Sequence, residues 1–576
     1  MVLVTQLVDL EQWRGNSMNI TINDKIFECN AGELLVEVAR RNGIYIPTLC
    51  YLKDVCHNSN CRICMCEVNG KLIPACSCKV AENMVVYTDS EKVNKSRYKT
   101  LQLILSNHHK YCEYCGKQNT CTLKMLFEKY DIKPLNGDYK KKEYKVDESS
   151  PCIIRNNNKC ILCGRCMSVC SKVQSVHALC KQQRGFNTFM GCAYNNNMIN
   201  SPCIGCGQCV LVCPTGALLE NTEVNRVKMV LEDKSKYVTC QVAPSVRVAL
   251  AEEFGEPIGT FDEGRLVTAL KKLGFKKVFD VNMAADFTIY EEANELLERI
   301  NQNKNLPQFS SCCPGWFQFL EKNYPEFKDN LSTCKSPTEM MGALVKNYYS
   351  KQNNINPDDM VVVDIMPCTA KKHEKERAKD VDNALTTREL ATMIKEANID
   401  YLNLEPSGFD TPLSEYSSAG LIFGVSGGVT EAALRFACEK ITGSNDRVDF
   451  EEVRNGEGIK EVDVKCGNVV LKLCVVSGLN NARIVLESIK SGEKFYHFVE
   501  VMACPGGCIN GGGQPFVDYD KISVEKVRSL RAKAIIDADK GATLRVSSQN
   551  KFLQELYASY LKDRKLAHKL FHWKHN

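Results

Sequence analysis

Hydrophobic and polar residues alternate in short segments at the N-terminal end of the chain. Residues 19–23 and 25–30 predict two strands around a tight turn at Asp24, and the helical spacing of residues 31–43 ends at Gly43. A loop with closely spaced cysteines follows, then an alternating segment over residues 66–76 that predicts one strand, and a further strand near residues 84–88. This part of the chain is therefore predicted to be a small mixed domain of strands and a helix.

The pattern changes further along the chain. Residues 97–109 predict a helix, a polar linker extends from about residue 130 to 150, and residues 151–222 hold two cysteine-dense repeats about 43 positions apart. Beyond residue 223, apolar strands alternate with amphipathic helices, which predicts an α/β region with largely buried sheets. Its strands are predicted at residues 236–243, 276–281, 360–366 and 495–501.

Bulk composition excludes several classes of protein. The chain has 576 residues, enough for several domains, and its 44% hydrophobic and 25% charged residues are ordinary for a globular protein. No apolar run approaches the roughly 18 residues that would span a bilayer. The N-terminus, with Asp9 and Glu11, lacks the features of a secretion signal or a transit peptide. We therefore expect a cytoplasmic protein that does not bind a membrane.

The net charge of +5 is modest, and no basic stripe is present, so nucleic-acid binding is not expected. The densest basic run is Lys140-Lys141-Lys142 with Lys145. It predicts either a solvated linker or a docking patch for an acidic redox partner.

Cysteine changes this picture, because the chain has 32 of them. In a long chain without a secretion signal they indicate metal binding or catalysis. The first set has the spacing C-x10-C-x2-C-x11-C, and four thiolates can hold a [2Fe–2S] cluster. It comprises Cys50, Cys61, Cys64 and Cys76, whereas Cys29, Cys56, Cys66 and Cys78 lie outside the spacing and are predicted to be spare thiols.

The order of elements around this set is that of a β-grasp ferredoxin domain. Its spacing resembles the ferredoxin domain of hydrogenases and of the large subunit of respiratory complex I, and a zinc ribbon is the alternative. The second set, His108, Cys112, Cys115 and Cys121, is compatible with zinc. It also resembles the His-ligated [4Fe–4S] site that the same proteins carry directly after the ferredoxin domain. The neighbouring His109 is set aside on spacing alone.

The third and fourth sets have the spacing of a bacterial two-cluster ferredoxin, in which each fourth cysteine ligates the other cluster. One [4Fe–4S] cluster is therefore predicted on Cys160, Cys163, Cys166 and Cys213, and the other on Cys170, Cys203, Cys206 and Cys209. Clusters of this kind carry single electrons, so the predicted relay requires a site at its end that uses them.

Three short motifs in the C-terminal half supply candidates for that site. They are residues 311–316 (SCCPGW), 366–372 (MPCTAKK) and 500–515 (EVMACPGGCINGGGQP). The second and third directly follow apolar strands, and the ends of such strands are where α/β folds build sites. Their glycines permit close backbone approach to a bulky ligand.

These three motifs resemble the signatures of iron–iron hydrogenases, and the accessory sets resemble those of the long clostridial type. The resemblance covers about residues 18–576. It implies that Cys313, Cys368, Cys504 and Cys508 hold a [4Fe–4S] cubane, and that Cys508 bridges it to a di-iron subsite with CO, cyanide and azadithiolate, together the H-cluster. It further implies that Lys371 hydrogen-bonds a cyanide and that the subsite is walled by Pro244, Ser245, Met366, Phe423 and Met502.

The same resemblance implies a proton path. Residues 287–300 predict an amphipathic helix with Ile289, Ala293, Leu296 and Ile300 on its buried side. Beside that stripe lie Glu292, Glu295 and Arg299, which by themselves would be read as a solvated face. Matched to the family, they imply a path from Cys312 through Glu292, Ser332 and Glu295 to solvent, with Arg299 near the exit. Proton transfer of this kind needs a short series of groups with workable pKa values.

The chain departs from the family pattern SAKSPQQ at residues 333–339, where Cys334 replaces Ala and Thr338 replaces Gln. We expect these changes to tune hydrogen bonds around the metal site; their effects on catalytic bias and oxygen sensitivity are left open.

The resulting expectation is a multidomain protein of mixed α+β and α/β class. Its predicted function is that of a ferredoxin hydrogenase, reducing protons reversibly to H2. The expected cofactors are one [2Fe–2S] cluster, three accessory [4Fe–4S] clusters and the H-cluster. Expected partners are a ferredoxin or flavodoxin-like carrier and maturation proteins for the di-iron site, with the chain a monomer. The predicted domains are an extension (1–17), a plant-type ferredoxin domain (18–96), a [4Fe–4S] domain with one histidine and three cysteine ligands (97–140), a two-cluster ferredoxin domain (141–222) and a catalytic domain (223–576).

Three rival functions fit the sequence less well. A cluster-assembly factor of the same ancestry should lack Cys312, Lys371 and the glutamate path, and this chain has all of them. A complex I-like electron-transfer subunit would explain residues 18–222 but not the later motifs. An H2 sensor would carry an added signalling domain.

Overall fold

The structure is a computed structural model that describes residues 17–108, 112–135, 142–444, 447–454 and 456–573. Nearly all of the predicted extension, His109, and Lys140 and Lys141 of the basic run lie outside the described residues. Among the described residues, no helix is both long and apolar enough to cross a membrane.

The N-terminal region forms a sheet of order β2-β1-β5-β3-β4, in which β1 and β5 are parallel and the other neighbours antiparallel. The single strand predicted over residues 66–76 is wrong, because the chain turns at Asn69 and Gly70, both with positive φ, and makes a hairpin. The elements are β1 (Ser17–Ile22), β2 (Lys25–Asn30), α1 (Leu35–Arg41), β3 (Met65–Val68), β4 (Lys71–Pro74) and β5 (Val85–Tyr87).

Two helices connect this sheet to the cysteine repeats, α2 (Glu91–Asn107) and α3 (Thr122–Lys129). The predicted helix is confirmed, but α2 begins earlier because the hydroxyl of Ser90 accepts a hydrogen bond from the Val93 amide and caps it. It ends at His108, whose backbone is extended.

The two cysteine repeats fold into similar halves. Gly164 and Gly207 adopt left-handed backbone conformations, and each starts a short helix after a cysteine loop. Strand β6 pairs with β9, so the start and the end of the region lie side by side. The elements are β6 (Ile153–Arg155), α4 (Arg165–Ser168), β7 (Cys180–Gln182), β8 (Phe189–Gly191), α5 (Gln208–Leu211) and β9 (Leu218–Glu220).

The C-terminal region is built on two further sheets, and the predicted α/β texture is confirmed. The first is parallel, with order β11-β10-β13-β14. The second has order β12-β17-β16-β15, parallel except for β15. The strands are β10 (Tyr237–Val242), β11 (Lys277–Asp280), β12 (Gln308–Phe309), β13 (Met360–Met366), β14 (Asn383–Thr386), β15 (Gly458–Cys466), β16 (Val469–Ser477) and β17 (Phe498–Met502).

Helices cover both sheets, and the apolar residues between them form the core. The long helix α8 packs against α10, α14 and α15 and is buried along most of its length. The helices are α6 (Val224–Glu232), α7 (Gly264–Lys272), α8 (Val281–Gln302), α9 (Pro314–Asn323), α10 (Pro337–Leu344), α11 (Ser350–Gln352), α12 (Lys371–Ala378), α13 (Thr387–Glu396), α14 (Ser418–Leu421), α15 (Gly428–Thr442), α16 (Leu479–Lys490), α17 (Val524–Gly541), α18 (Lys551–Ala558) and α19 (Arg564–Phe571).

The strand directions explain where the three C-terminal motifs meet. Strands β10 and β13 are parallel in one sheet, and β12 and β17 are parallel in the other. Each motif leaves the carboxyl end of one of these strands: residues 311–316 follow β12, residues 367–372 follow β13, and residues 503–515 follow β17. Parallel strands present their carboxyl ends at one edge of their sheet, so the three motifs lie at the carboxyl edges of the two sheets.

Candidate metal centres and proton path

The first cysteine set comes together around the hairpin of β3 and β4. The thiol of Cys50 contacts those of Cys61 and Cys76, and the thiol of Cys64 also contacts Cys76. All four side chains are buried, and the Cys76 amide donates to the sulfur of Cys64 over 3.5 Å. Buried thiols in mutual contact, with a backbone donor to sulfur, are the donor chemistry of an iron–sulfur cluster.

Three of the four cysteines predicted to be spare thiols form hydrogen bonds with the backbone. Cys29, Cys66 and Cys78 each donate to a backbone carbonyl, those of Met18, Cys64 and Lys79.

The second set lies where α2 ends and α3 begins. His108 is buried at the end of α2, and the Cys115 amide closes a turn onto the Cys112 carbonyl. Cys121 caps α3, and its sulfur accepts a hydrogen bond of 3.4 Å from the Lys124 amide. Cys115 also lies within electrostatic range of Cys121, and the addition of His108 to these thiols stays a prediction.

The eight cysteines of the two repeats surround two cavities. Each cavity is lined by three cysteines of one repeat and by the fourth cysteine of the other repeat. That these thiols ligate a cluster stays a prediction. One is lined by Cys160, Cys163, Cys166 and Cys213, and the other by Cys170, Cys203, Cys206 and Cys209. Backbone amides donate to the sulfurs of Cys160, Cys170 and Cys203 over 3.3–3.4 Å.

The cavity of Cys160 and Cys213 receives both N-terminal sets. On one side the Asn60 amide group, next to Cys61, donates to the Cys163 carbonyl over 3.2 Å. On the other side the Cys121 thiol lies 3.7 Å from the Pro214 carbonyl. Both N-terminal sets therefore contact the loops that carry Cys163 and Cys213, which line this cavity.

The buried Lys117 lies beside the Cys213 loop of this cavity. Its ammonium group donates to the Cys213 carbonyl and lies 3.8 Å from the ring centre of Phe516. Burial lowers the pKa of Lys117 to about 8, although the nearby Cys213 raises it in part. The lysine places a positive charge close to Cys213 and Cys121, two of the predicted ligands.

The second cavity adjoins the C-terminal motifs. Cys206 lies within electrostatic range of Cys368 and Cys504. Backbones approach closely here: a Cβ atom on Gly207 would stand 2.4 Å from the Thr369 hydroxyl, and one on Gly512 would stand 2.4 Å from the Cys206 carbonyl. These glycines allow three loops to interlock between the relay and the terminal site.

The four terminal thiols form one group. Cys313, Cys368 and Cys508 influence one another electrostatically, and Cys504 is influenced by all three. Burial raises the pKa of each thiol, that of Cys368 to about 12. Amides of Ala503 and Trp316 point at Cys313, and those of Ala370 and Lys371 point at Cys368. Thiols that are costly to ionise alone become anionic when a metal replaces the proton, so this donor set fits a metal cluster.

The predicted wall residues lie near the loop of Cys508, where the side-chain amide of Gln514 donates to the carbonyls of both Ser245 and Cys508. Ser245 is fully buried, and its hydroxyl donates to the Gly424 carbonyl over 3.3 Å, which joins the loop of Pro244 to that of Phe423. Phe423, Met502 and the partly exposed Cys312 belong to one apolar cluster, and Met366 is buried in the neighbouring one. Gly424 is required here, because a Cβ atom would stand 2.6 Å from the Ser245 hydroxyl.

Lys371 starts α12 within a polar cluster. Its ammonium group donates to the hydroxyls of Ser336 and Thr338, each over 2.9 Å, and to the Glu374 carboxylate. Burial alone would lower the pKa of Lys371, but Glu374 and Asp364 raise it above its usual value. Thr338, which departs from the family pattern, thus bonds Lys371 directly.

The proposed proton-path residues are brought together on α8 and the loop after α9. Glu292 is buried with one carboxylate oxygen lacking a hydrogen-bond partner in the described part of the chain. Burial, together with the charge of Glu295, raises the pKa of Glu292 to about 8. The Glu292 charge in turn acts on the Cys312 thiol. The alternative interpretation, a solvated helix face, is thus wrong for Glu292 and Arg299. Both are buried, and Arg299 bonds the loop of residues 329–334.

Glu295 and Arg299 form the outer part of this group. Glu295 accepts hydrogen bonds from the Ser332 hydroxyl (3.0 Å) and from Arg299 (2.6 Å). Arg299 also donates to the carbonyls of Asn330 and Leu331 and so fixes the loop that carries Ser332. The arrangement places two carboxyl groups and a hydroxyl in sequence from Cys312 outward.

Three residues that hold the site region or the sheet together were not predicted from the sequence. Glu500, within the third motif, accepts hydrogen bonds from the amides of Gly427 and Thr430 and thereby holds the loop of Phe423. Cys438 and Cys466 form a disulfide, with Cα atoms 5.1 Å apart. A buried carboxyl group inside a strand motif was a signal available for Glu500; nothing in the sequence pairs the two cysteines.

Family models match most of the chain, region by region. They are the iron only hydrogenase large subunit, C-terminal domain (residues 236–512), the iron hydrogenase small subunit (525–576), a 2Fe-2S iron-sulfur cluster binding domain (15–91), the NADH-ubiquinone oxidoreductase-G iron-sulfur binding region (97–134) and a 4Fe-4S dicluster domain (159–218).

Curated relatives match over nearly the whole length. The chain is 42% identical to the NADP-reducing hydrogenase subunit HndD of Solidesulfovibrio fructosivorans, over 94% of this chain and 96% of that protein. It is 39% identical to iron hydrogenase 1 of Clostridium pasteurianum, over 96% of this chain and 99% of that protein. Among solved structures, an apo [FeFe]-hydrogenase from Chlamydomonas reinhardtii matches with 37% identity and a TM-score of 0.54, covering 61% of this chain and 97% of that one.

Proposed function

This chain belongs to the iron–iron hydrogenase family, and on that premise we propose that it reduces protons reversibly to H2 with electrons from a reduced ferredoxin. The observation that carries the proposal is the position of Cys312. Its thiol lies within electrostatic range of Cys313 and Cys508, in the terminal group, and of the buried Glu292. A protonatable group between a metal-binding set and a carboxyl path is what proton reduction requires and what electron transfer alone does not.

The accessory sets are proposed to hold one [2Fe–2S] and three [4Fe–4S] clusters. Their assignment follows the four groups of side chains described above, with His108 the one nitrogen ligand. The first set would lie in a β-grasp ferredoxin domain, whose sheet order and cysteine loops support that name. The domain boundaries remain as predicted from the sequence. A cytoplasmic monomer that needs maturation proteins for its di-iron site completes this proposal.

The terminal group is proposed to hold the H-cluster. Cys313, Cys368, Cys504 and Cys508 would bind the [4Fe–4S] cubane, with Cys508 also reaching the di-iron subsite. When bound, the H-cluster supplies the metal chemistry by which two electrons and two protons become H2. The protein supplies a dry wall of Pro244, Ser245, Met366, Phe423 and Met502, and the Lys371 ammonium as a fixed hydrogen-bond donor.

The protein's own contribution to proton movement is the path through Cys312, Glu292, Ser332 and Glu295. A carboxyl group with a pKa of about 8 holds its proton near neutral pH and can still release it, which suits Glu292 to this role. The Ser332 hydroxyl can pass a proton because it is both a donor and an acceptor. Arg299 positions Glu295 at the outer end.

The electron donor is the point at which relatives differ. HndD is named as an NADP-reducing hydrogenase subunit, which makes NADPH, delivered through a partner protein, the second candidate. A direct comparison would supply either reduced ferredoxin or NADPH to the purified chain alone. H2 from ferredoxin and none from NADPH supports the proposal; H2 only after addition of a nucleotide-binding partner favours the second candidate.

The activity itself is tested by anaerobic production with the maturation proteins, followed by H2 measurement with a reduced mediator. Fully iron-loaded protein that makes no H2 would refute the proposal and favour a cluster-assembly or electron-transfer role. Cys312→Ala should retain its cluster spectra and lose turnover by roughly 100-fold or more, the usual contribution of a positioned proton-transfer group. Cys474→Ala, at a buried thiol in β16 outside the site, is the matched control.

A further inference from the structure

The outer end of the carboxyl path continues beyond Glu295 into a cluster of side chains that the proposed path does not use. The sulfur of Cys334 lies 3.9 Å from the Glu295 carboxylate and 4.0 Å from Nδ1 of His572. These three ligating or titratable groups come from α8, from the loop before α10 and from the C-terminal segment after α19. They are brought together by the fold, since 238 positions separate Cys334 from His572.

The backbone fixes this arrangement. Cys334 and His572 pair as an antiparallel β-bridge, with hydrogen bonds from the Lys335 amide to the Phe571 carbonyl (2.7 Å) and from the Trp573 amide to the Thr333 carbonyl (2.8 Å). The Thr333 hydroxyl bonds Nδ1 of His572 over 2.8 Å. The imidazole is thus held facing the thiol.

The contacts of the His572 ring fix which nitrogen gains a proton. Nε2 lies 3.4 Å from the Glu291 carboxylate, so in the neutral ring Nε2 carries the hydrogen and Nδ1 is the acceptor. Protonation then occurs at Nδ1, which bonds the Thr333 hydroxyl and lies 4.0 Å from the Cys334 sulfur. Glu291 is also bonded by the Tyr557 hydroxyl and lies 3.6 Å from Arg564.

The ring also has a connection to solvent. His568, exposed on α19, stacks on His572 with ring centres 4.6 Å apart and planes at 6°. The His572 side chain is itself 9% exposed, so the ring can take protons from solvent. The side chains around His572 are Glu291 and Glu295 from α8, Cys334 and Thr333 from the loop, and His568 from α19, with Arg564 beside Glu291.

We propose that His572 is a proton-exchange residue that supplies Glu295 through the Cys334 thiol. In one transfer, the imidazolium gives its Nδ1 proton to the Cys334 sulfur while the Cys334 S–H proton passes to the Glu295 carboxylate. The imidazolium becomes neutral, the carboxylate becomes a carboxylic acid, and the thiol is unchanged in charge. The inference deepens the proposed function and rests on it.

The test compares rates of H2 evolution across pH for variants at the two new positions. His572→Gln should lower the rate roughly tenfold where proton supply limits turnover, and imidazole added to the buffer should restore it. Cys334→Ala should lower the rate in the same way, whereas Cys334→Ser, which keeps a donor and acceptor, should not. Cluster spectra should be unchanged in all variants.

Rescue by imidazole separates proton exchange from anchoring. A His572→Gln variant with wild-type rates at every pH overturns the proposal, as does a slow variant that imidazole does not rescue, because that result assigns His572 only to holding the C-terminal segment. Wild-type rates in Cys334→Ala overturn the thiol step. Failure of the wild-type protein itself to make H2 would refute the proposed function instead, so the two failures are distinguishable.

Discussion

The hydroxyl of Thr369 donates a hydrogen bond of 2.6 Å to the backbone carbonyl of Gly205. It joins the loop of Cys368, in the terminal group, to the loop between Cys203 and Cys206, in the relay. Both residues are buried. The spacing between the last relay cavity and the terminal site is therefore set by a direct bond between the two loops.

Replacing Thr369 with Val should weaken this junction. Valine has nearly the same shape but cannot donate, so the Gly205 carbonyl is left buried without this donor, at a cost of about 1–3 kcal/mol. Hydrogen exchange measured by mass spectrometry should show faster exchange in residues 203–207 and 367–371. Thr369→Ser keeps the hydroxyl and is the control; equal exchange in both variants would contradict the structural role given to the bond.

The interleaving of the two repeats can be tested by removing a fourth cysteine. Cys170 lies in the cavity of Cys203, Cys206 and Cys209, although it belongs to the other repeat. Cys170→Ser should therefore alter the EPR signal of the cluster on the second repeat and leave that on the first repeat intact. Cys213→Ser should have the opposite effect, because Cys213 lines the other cavity.

Cys180→Ser is the control for both variants, since Cys180 lies in β7 and lines neither of the two cavities. If each variant instead lost the EPR signal of the cluster on its own repeat, each cluster would be bound by the four cysteines of a single repeat.

The cysteine sets could be predicted from the spacing of the cysteines, because the ligands of an iron–sulfur cluster are mostly close to one another along the chain. The hairpin at Asn69 and Gly70 also has a local signal, since Asn-Gly favours the positive φ angles of a tight turn, but the alternating residues on both sides of it match the pattern of a single strand. Local signals therefore exist for both features, and for the hairpin two of them compete.

Contacts between segments distant in the chain could not be predicted from the sequence. The pairing of Cys334 with His572, and the disulfide of Cys438 with Cys466, depend on how helices and strands pack, which no local pattern encodes. The burial of Glu292 was ambiguous for a similar reason. Helical periodicity places it beside the apolar stripe, and its burial comes from distant segments such as the loop of Ser332, whose hydroxyl contacts it.

Hydrogen bonds from Arg299 hold that loop in place, and a further prediction follows from them. Its guanidinium donates to Glu295 and to the carbonyls of Asn305, Asn330 and Leu331. Lysine has a single nitrogen and cannot reach these acceptors together, so Arg299→Lys should leave buried carbonyls unsatisfied. We expect a loss of about 1–3 kcal/mol in stability, measured by thermal unfolding, and slower H2 evolution because Ser332 and Glu295 are misplaced.

The control for this change is Arg447→Lys, at an arginine that is half exposed and pairs with Glu452. Exposed pairs of this kind contribute little, so the melting temperature should hardly change. Similar losses in both variants would show that the effect of Arg299→Lys is not specific to the loop.

Glu292 should make both stability and activity depend on pH. Its pKa of about 8 in the folded protein lies above the ordinary value of 4.5, because the carboxyl group is buried and near Glu295. The folded state therefore binds more protons than the unfolded state between these values. The stabilising contribution is complete below pH 4.5 and is lost as pH rises through 8. Relative to the wild type, Glu292→Gln should thus gain stability as the pH rises from about 5 to about 9, by on the order of 3 kcal/mol.

The same variant should be inactive although it is stable, since an amide cannot exchange the proton that the path requires. We expect H2 evolution to fall by about 100-fold or more, with cluster spectra unchanged. Glu298→Gln is the matched control: it lies on the same helix, is exposed and bonds Gln302 over 2.8 Å, and it should alter neither property. Active Glu292→Gln protein would remove Glu292 from the proton path, and a pH-independent difference in unfolding would show that its carboxyl group does not titrate in this window.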